Sequence, residues 1–201
     1  MKLALIGRIA GALTLTLGLA ACVDMTQDLT VTSETTAKAT MTMVMGADIY
    51  SMMKAANTAD TKAEDKFCAK EGEKLTENAD GGATCESTTE GTFDALAFDE
   101  GGSKPTFTSA GPGLVRVALT TKDLMGDVGK GDAEDEQTKA MMKQMFEGHF
   151  LTLRFGGVEV VDTNMTLSDD HKTAEVKIAF TDLLNGTAKL PDELFAVVKT
   201  N

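Results

Sequence analysis

The chain has 201 residues, 25% of them charged, and a formal net charge of −12. This length suits one domain with a sizeable core. The acidity excludes association driven by attraction to phosphate backbones, so nucleic acid is not an expected partner.

The first 21 residues have the form of a secretory signal peptide. Lys2 and Arg8 give a charged start, residues 9–19 form an apolar run, and small residues follow. An uncleaved transmembrane helix is the alternative. Spanning a bilayer takes about 20 apolar residues, whereas only residues 9–21, a stretch of 21 − 9 + 1 = 13, are uncharged.

The sequence Leu19-Ala20-Ala21-Cys22 resembles the lipobox of bacterial lipoproteins, in which an aliphatic residue and two small residues precede a cysteine. The resemblance implies that Cys22 is lipidated, becomes the mature N-terminus and anchors residues 22–201 to a membrane of the cell envelope. Cleavage leaves 201 − 21 = 180 residues with a formal charge of −12 − 2 = −14. Val23 follows the cysteine, which by resemblance to enterobacterial sorting rules implies the outer membrane, with the domain facing the periplasm.

Alternation of apolar and polar residues predicts a β-hairpin directly after the anchor. Val23, Met25, Leu29 and Val31 alternate with polar residues, and every second residue is apolar over 37–45 after a polar turn at 32–34. The domain is therefore expected close to the membrane. Helical spacing then predicts a helix over 48–56, and the charged stretch 60–74 is compatible with its continuation.

Cys68 and Cys85 remain as an even pair, and exported proteins preserve disulfides. We therefore predict a bond that closes a loop of 85 − 68 + 1 = 18 residues. Such a cross-link is worth about 3 kcal/mol in the chain-entropy model. A metal site is the weaker alternative, because no histidine lies near either cysteine in sequence.

The rest of the chain predicts more strands than helices. Strands are expected within 104–113 and over 114–121, 150–155, 158–167 and 173–183, and helices over 132–147 and 191–198. This pattern indicates a single α+β domain, with a largely antiparallel sheet and two or three helices packed on one face.

Catalytic motifs are absent from the sequence, so we expect no enzyme and no cofactor. His149 and His171 have no serine elbow or free cysteine to act with. The glycines of 126–131 lack the order of a P-loop or a dinucleotide fingerprint. The acidic stretch 123–136 lacks the spacing of an EF-hand, and an acid-capped helix explains it better.

Methionine is the unusual residue, with twelve in the chain. Three hypotheses account for the methionines: ordinary core packing, a deformable pocket for a lipid or other apolar ligand, or Cu(I) binding by thioethers. Copper ranks last, because same-face strand residues stand about 6.5–7 Å apart. The candidate ligand-binding residues are Met41, Met43, Met45, Met141, Met142 and Met145.

Residues 22–31, the strand 37–45 and the segment Ile49-Tyr50-Ser51-Met52-Met53 resemble the start of LppM-like bacterial lipoproteins. The resemblance implies an α+β module with lipid-binding character and no catalytic residues. Some members carry a C-terminal transmembrane helix, whereas here the lipid alone is expected to anchor the chain.

Two functions remain open at this point. The first is a membrane-anchored, non-enzymatic envelope lipoprotein that binds a lipid or other apolar ligand between the sheet and the helices 48–56 and 132–147. The second is an envelope scaffold that binds another envelope protein and has no small-molecule ligand.

Overall fold

The computed structural model describes residues 23–56, 66–96, 104–122, 124 and 136–200. Strands predominate within these ranges, and the helices are short. The strands are β1 (Val23–Val31), β2 (Thr36–Met45), β3 (Glu73–Glu77), β4 (Ala83–Thr92), β5 (Thr106–Gly111), β6 (Leu114–Thr120), β7 (Phe150–Gly156), β8 (Glu159–Thr163), β9 (Thr166–Leu167), β10 (Thr173–Ala179) and β11 (Glu193–Lys199), and the helices are α1 (Ala47–Ala56), α2 (Glu136–Phe146) and α3 (Phe180–Asn185).

The described strands form two sheets. The first sheet has seven strands in the order β3-β4-β2-β1-β7-β10-β9, and the second has four in the order β5-β6-β11-β8. Neighbouring strands are antiparallel in every described pair except β1 and β7, which run parallel. The prediction of a largely antiparallel sheet is confirmed.

The main core lies between the two sheets. Leu29 and Leu153 of the first sheet belong to the same buried cluster as Val117 and Leu194 of the second. At the crossing after β7, a Cβ added to Gly157 would lie 2.4 Å from Val198 Cγ1, so the close approach of the backbone requires glycine here. The predicted α+β architecture is therefore met only in part, because a second sheet, and not a layer of helices, covers the core side of the first.

The prediction of a C-terminal helix over 191–198 is wrong, because this segment is β11. Leu194, Ala196 and Val198 alternate as fully buried residues, which is the period of a strand. The intervening Phe195 and Val197 are half-buried and apolar. Because the residues on both faces are apolar, the sequence lacks the alternation of apolar and polar residues that predicts a strand.

Two other predicted strands end earlier than expected. The strand predicted over 158–167 is divided at Asn164 and Met165, where Thr163 Oγ1 accepts a hydrogen bond from the Met165 amide at 3.0 Å. β8 consequently joins the second sheet and β9 the first. The strand predicted over 173–183 ends at Ala179, and α3 follows until Gly186 closes it in a left-handed conformation.

The helix at 48–56 is confirmed as α1, but its predicted continuation towards residue 74 is not found where the chain is described. Residues 66–72 form turns, and β3 begins at Glu73 and pairs with β4.

The predicted helix 132–147 is represented by α2. Three parts of the sequence analysis lie outside the described parts of the chain: Cys22, the side chain of Met141 and the glycine-rich segment 126–131. None of the described helices is long and apolar enough to cross a membrane.

Candidate functional site

The three methionines of β2 share one face of the first sheet. Met41, Met43 and Met45 lie at alternate positions, as predicted, because successive side chains of a strand point to opposite faces. On this face Met43 is opposite Met25 of β1 and Cys85 of β4. The three methionines differ in burial: Met45 is buried, whereas the other two are half-buried.

Met45 belongs to a small apolar cluster beneath α1. It is 5% exposed and packs with Tyr50 of α1 and Ala83 of β4. Val23, the first residue of β1, and Phe67 pack against the same cluster. This methionine is therefore core and is not available to a ligand.

A polar contact holds α1 against β3. Glu77 accepts hydrogen bonds from the Tyr50 hydroxyl at 2.9 Å and from Lys54 Nζ at 2.8 Å. The hydrogen bond from Lys54 lowers the pKa of Glu77 and raises the pKa of Lys54. The pair therefore stays ionised around neutral pH, although its exposure to solvent keeps its contribution to stability small.

The structure contains the predicted disulfide between Cys68 and Cys85, with 5.5 Å between the two Cα atoms. Cys85 lies within β4, and Cys68 lies in the turn that precedes β3, with a φ of 57°. Residues other than glycine rarely adopt this left-handed conformation. The cross-link holds residues 67–73 beside the methionines of β2.

A groove of about 320 Å³ lies between these residues and the sheet. Its floor includes Met41 and Met43 of β2, and charged residues of the turn form its rim, namely Lys70, Glu71 and Glu73. This volume is at the lower limit of ordinary ligand sites, and charged groups take a larger share of the lining than in most such sites.

A smaller apolar pocket of about 100 Å³ adjoins the groove and shares Met41 and Met43 with it. The ring of Phe67 and the disulfide sulfurs line its far side, and Glu73 lies at its boundary. The two cavities together offer apolar contact at one end and charged groups at the other. This arrangement suits a narrow amphiphilic molecule.

Met142 and Met145 of α2 do not line this groove, so the predicted six-residue set is divided among its described members. α2 packs against α3, where the rings of Phe146 and Phe180 are 5.1 Å apart. α3 follows β10, the third strand from β2 and about 14 Å from it at the usual strand spacing. Met142 and Met145 are half-buried there. The sequence predicted that the helices now seen as α1 and α2 cover one sheet. It contained no information on which strands each helix packs against.

Metal-ligating atoms also meet beside the groove. A carboxylate oxygen of Glu73 and the sulfurs of Cys68 and Cys85 lie within 4.8 Å of one another. The two sulfurs are bonded to each other, so they offer no thiolate to an ion. The copper hypothesis would then rest on the thioethers of Met41 and Met43, which are two residues apart on one strand.

The two histidines lie at opposite ends of the first sheet. His149 immediately precedes β7, and its Nδ1 lies 3.3 Å from an Asp24 carboxylate oxygen without hydrogen-bond geometry. The other Asp24 oxygen accepts the Phe150 amide at 2.9 Å. His171 precedes β10, which runs antiparallel to β7. The two imidazoles therefore cannot act on one substrate.

The opposite face of the first sheet carries a polar cavity of about 380 Å³ lined by threonines, Asp28, Lys38 and Arg154. Burial raises the pKa of Asp28, and Arg154 opposes that rise. Arg154 Nε donates to Glu175 at 2.6 Å. Together with Lys38 of β2, these charges form a ladder across β2, β1, β7 and β10 in which they neutralise one another, as cross-strand pairs commonly do.

No protein-family model matches the chain, and no curated protein matches it in sequence. Among solved structures, the chain is similar to the NMR structure of the folded domain of the Mycobacterium tuberculosis protein LppM. The identity is 11%, the match covers 89% of this chain and 90% of that chain, and the TM-score is 0.48. Function is therefore argued from the site itself.

Proposed function

We propose that this protein is a membrane-anchored envelope lipoprotein that binds a lipid or other narrow apolar molecule without transforming it. The lipobox at Cys22 supports the anchor, and Val23 after it supports the outer membrane and a domain facing the periplasm. The observation that carries the binding role is the groove over Met41 and Met43, together with the adjoining small pocket that Cys68 and Cys85 help to line.

The shape of the groove favours an amphiphile with a thin tail. Unbranched thioethers adapt to chains of different curvature, and the small pocket near Phe67 admits a methylene chain but no bulky ring system. Lys70 at the rim supplies a positive charge for an anionic or zwitterionic head, while Glu71 and Glu73 make a strongly anionic head unfavourable. A zwitterionic or neutral head group fits this rim best.

The scaffold role is the second candidate, and one observation favours it. Met45 is fully packed beneath α1, and Met142 and Met145 lie outside the groove. Part of the methionine content is therefore ordinary core. Under this alternative the groove would be a contact surface for another envelope protein, and no small molecule would be found in it.

A change of one groove methionine to a charged residue tests the binding role. We expect Met43→Glu to reduce capture of a phosphatidylcholine by at least about tenfold, because it places a carboxylate on the apolar floor beside Glu73. The full-length protein is reconstituted through its own lipid in vesicles that contain a phosphatidylcholine with a diazirine-bearing acyl chain. Photocrosslinks to residues 39–43 and 67–73 are then quantified by peptide mass spectrometry.

The matched control is Val161→Glu, because Val161 is 49% exposed on β8 and lies outside both the groove and α1. This variant should keep the groove crosslinks of the wild type. Equal crosslinking in Met43→Glu and wild type, with both variants folded by circular dichroism, would favour the scaffold role.

A further inference from the structure

Helix α1 lies directly beside the point where the chain would leave the membrane. Val23 follows Cys22 in sequence and packs into the cluster formed by Met45, Tyr50 and Ala83. Ile49 and Met53 of α1 pack against the same cluster. A lipid on Cys22 would therefore be one residue, about 3.3 Å of extended chain, from a residue that contacts the underside of α1.

The outward side of α1 is poor in charge for so acidic a protein. Tyr50 is buried and Met53 is half-buried, whereas Asp48, Ser51 and Met52 are exposed. Ala55 and Ala56 are exposed as well. Met52 is 68% exposed, the highest value among the exposed large hydrophobic residues of the described chain.

The one lysine of α1, Lys54, is directed towards the protein body. Lys54 is held by Glu77 at 2.8 Å and lies with its Nζ 5.1 Å from the centre of the Tyr50 ring. The exposed stripe that runs from Asp48 through Ser51 and Met52 to Ala55 therefore presents one large apolar side chain among small ones, with a single acidic residue at its N-terminal end. Such a surface suits the boundary between lipid head groups and acyl chains.

We propose that α1 rests on the bilayer that holds the Cys22 lipid, with Met52 inserted into the interfacial region. The inference rests on the proposed lipid anchor, since the anchor is what brings the bilayer to this end of the sheet. An interfacial helix buries its apolar side roughly 5–10 Å into the head-group region. The occupant of this face is therefore a lipid surface and not a protein.

This orientation also sets where the groove lies relative to the membrane. Met45 is at the α1 end of β2, and Met41 is four residues earlier, about 13 Å along the strand. In this orientation the groove over Met41 and Met43 lies next to the head-group region of the bilayer.

The test uses a single fluorophore on the full-length lipidated protein. Met52→Cys carries an environment-sensitive NBD label, and Asp169→Cys carries it in the control, because Asp169 is exposed in the turn between β9 and β10. This turn lies at the other end of the first sheet, about 23 Å from Val23 along the strands. Cys22 is blocked by lipid and Cys68 by the disulfide, so only the new thiol reacts.

On transfer from detergent-free buffer with albumin to zwitterionic phospholipid vesicles, the label at position 52 should gain about twofold in emission and shift to the blue. Nitroxide-bearing lipids should quench it, and the label at position 169 should change in neither respect. Co-flotation of the protein with vesicles while the label at position 52 stays aqueous would overturn this inference alone. Failure of the wild type to float with vesicles would overturn the anchor and the inference together.

Discussion

Replacing Cys22 by serine should remove the protein from the membrane fraction. Each buried methylene of an acyl chain contributes about 0.8 kcal/mol to membrane binding, so loss of the lipid should lower the membrane-bound fraction at least about tenfold after a high-salt wash. Fractionation of cells that express the variant measures this directly. An alkyne fatty acid fed to the cells should label the wild type and leave Cys22→Ser unlabelled.

A double variant, Cys68→Ala with Cys85→Ala, is the matched control for loss of cysteine. It lacks the disulfide but keeps the lipid, so it should stay with the membrane. Partition of Cys22→Ser equal to that of the wild type would contradict the lipoprotein account. It would favour an uncleaved apolar segment as the anchor.

The second large effect is expected in the core between the two sheets. Leu194 of β11 is 1% exposed and packs in the main buried cluster. Truncation to alanine removes buried methyl groups and leaves a cavity, which should lower the free energy of unfolding by about 2–5 kcal/mol. Urea denaturation followed by circular dichroism gives the value.

Leu75→Ala is the control of the same chemical type, because Leu75 of β3 is 42% exposed. Its effect should stay within about 1 kcal/mol of the wild type. Equal losses at the two positions would mean that β11 does not form the centre of a second sheet. The segment would then fit the helix predicted over 191–198.

The local elements that carry strong periodic signals were predicted well from the sequence. The hairpin β1–β2 follows from two alternating runs, and α1 follows from the change of spacing after Asp48. The disulfide follows from the even number of cysteines that remain after the lipobox. Each of these signals is contained in a short stretch of chain.

The second sheet was missed because its central strand is apolar on both sides. Phe195 of β11 faces away from the core, but the guanidinium of Arg116 lies 4.6 Å from the centre of its ring and covers it. The side chain is therefore half-buried, and the polar half of the alternation disappears. The pairing of Arg116 with Glu193 across the same face depends on strand register, which no local pattern contains.

The groove was predicted only in part. Met41 and Met43 were correctly placed on one strand face, but the covering element was expected to be a helix. Residues 67–73 cover them instead, because the disulfide fixes this turn to β4 next to Met43. The disulfide predicted from the sequence, combined with the pairing of β2 and β4, would have placed residues 67–73 over these methionines. That pairing joins distant parts of the chain, so no local sequence pattern indicates it.

Native mass spectrometry tests most directly whether the groove binds a lipid. The full-length protein is extracted gently from its own envelope in a mild detergent, so that bound molecules are retained. We expect the covalently lipidated mass plus one non-covalent apolar adduct, present in Val161→Glu and lost in Met43→Glu. A spectrum with only the covalently lipidated mass, in wild type and both variants alike, would contradict a ligand-binding role.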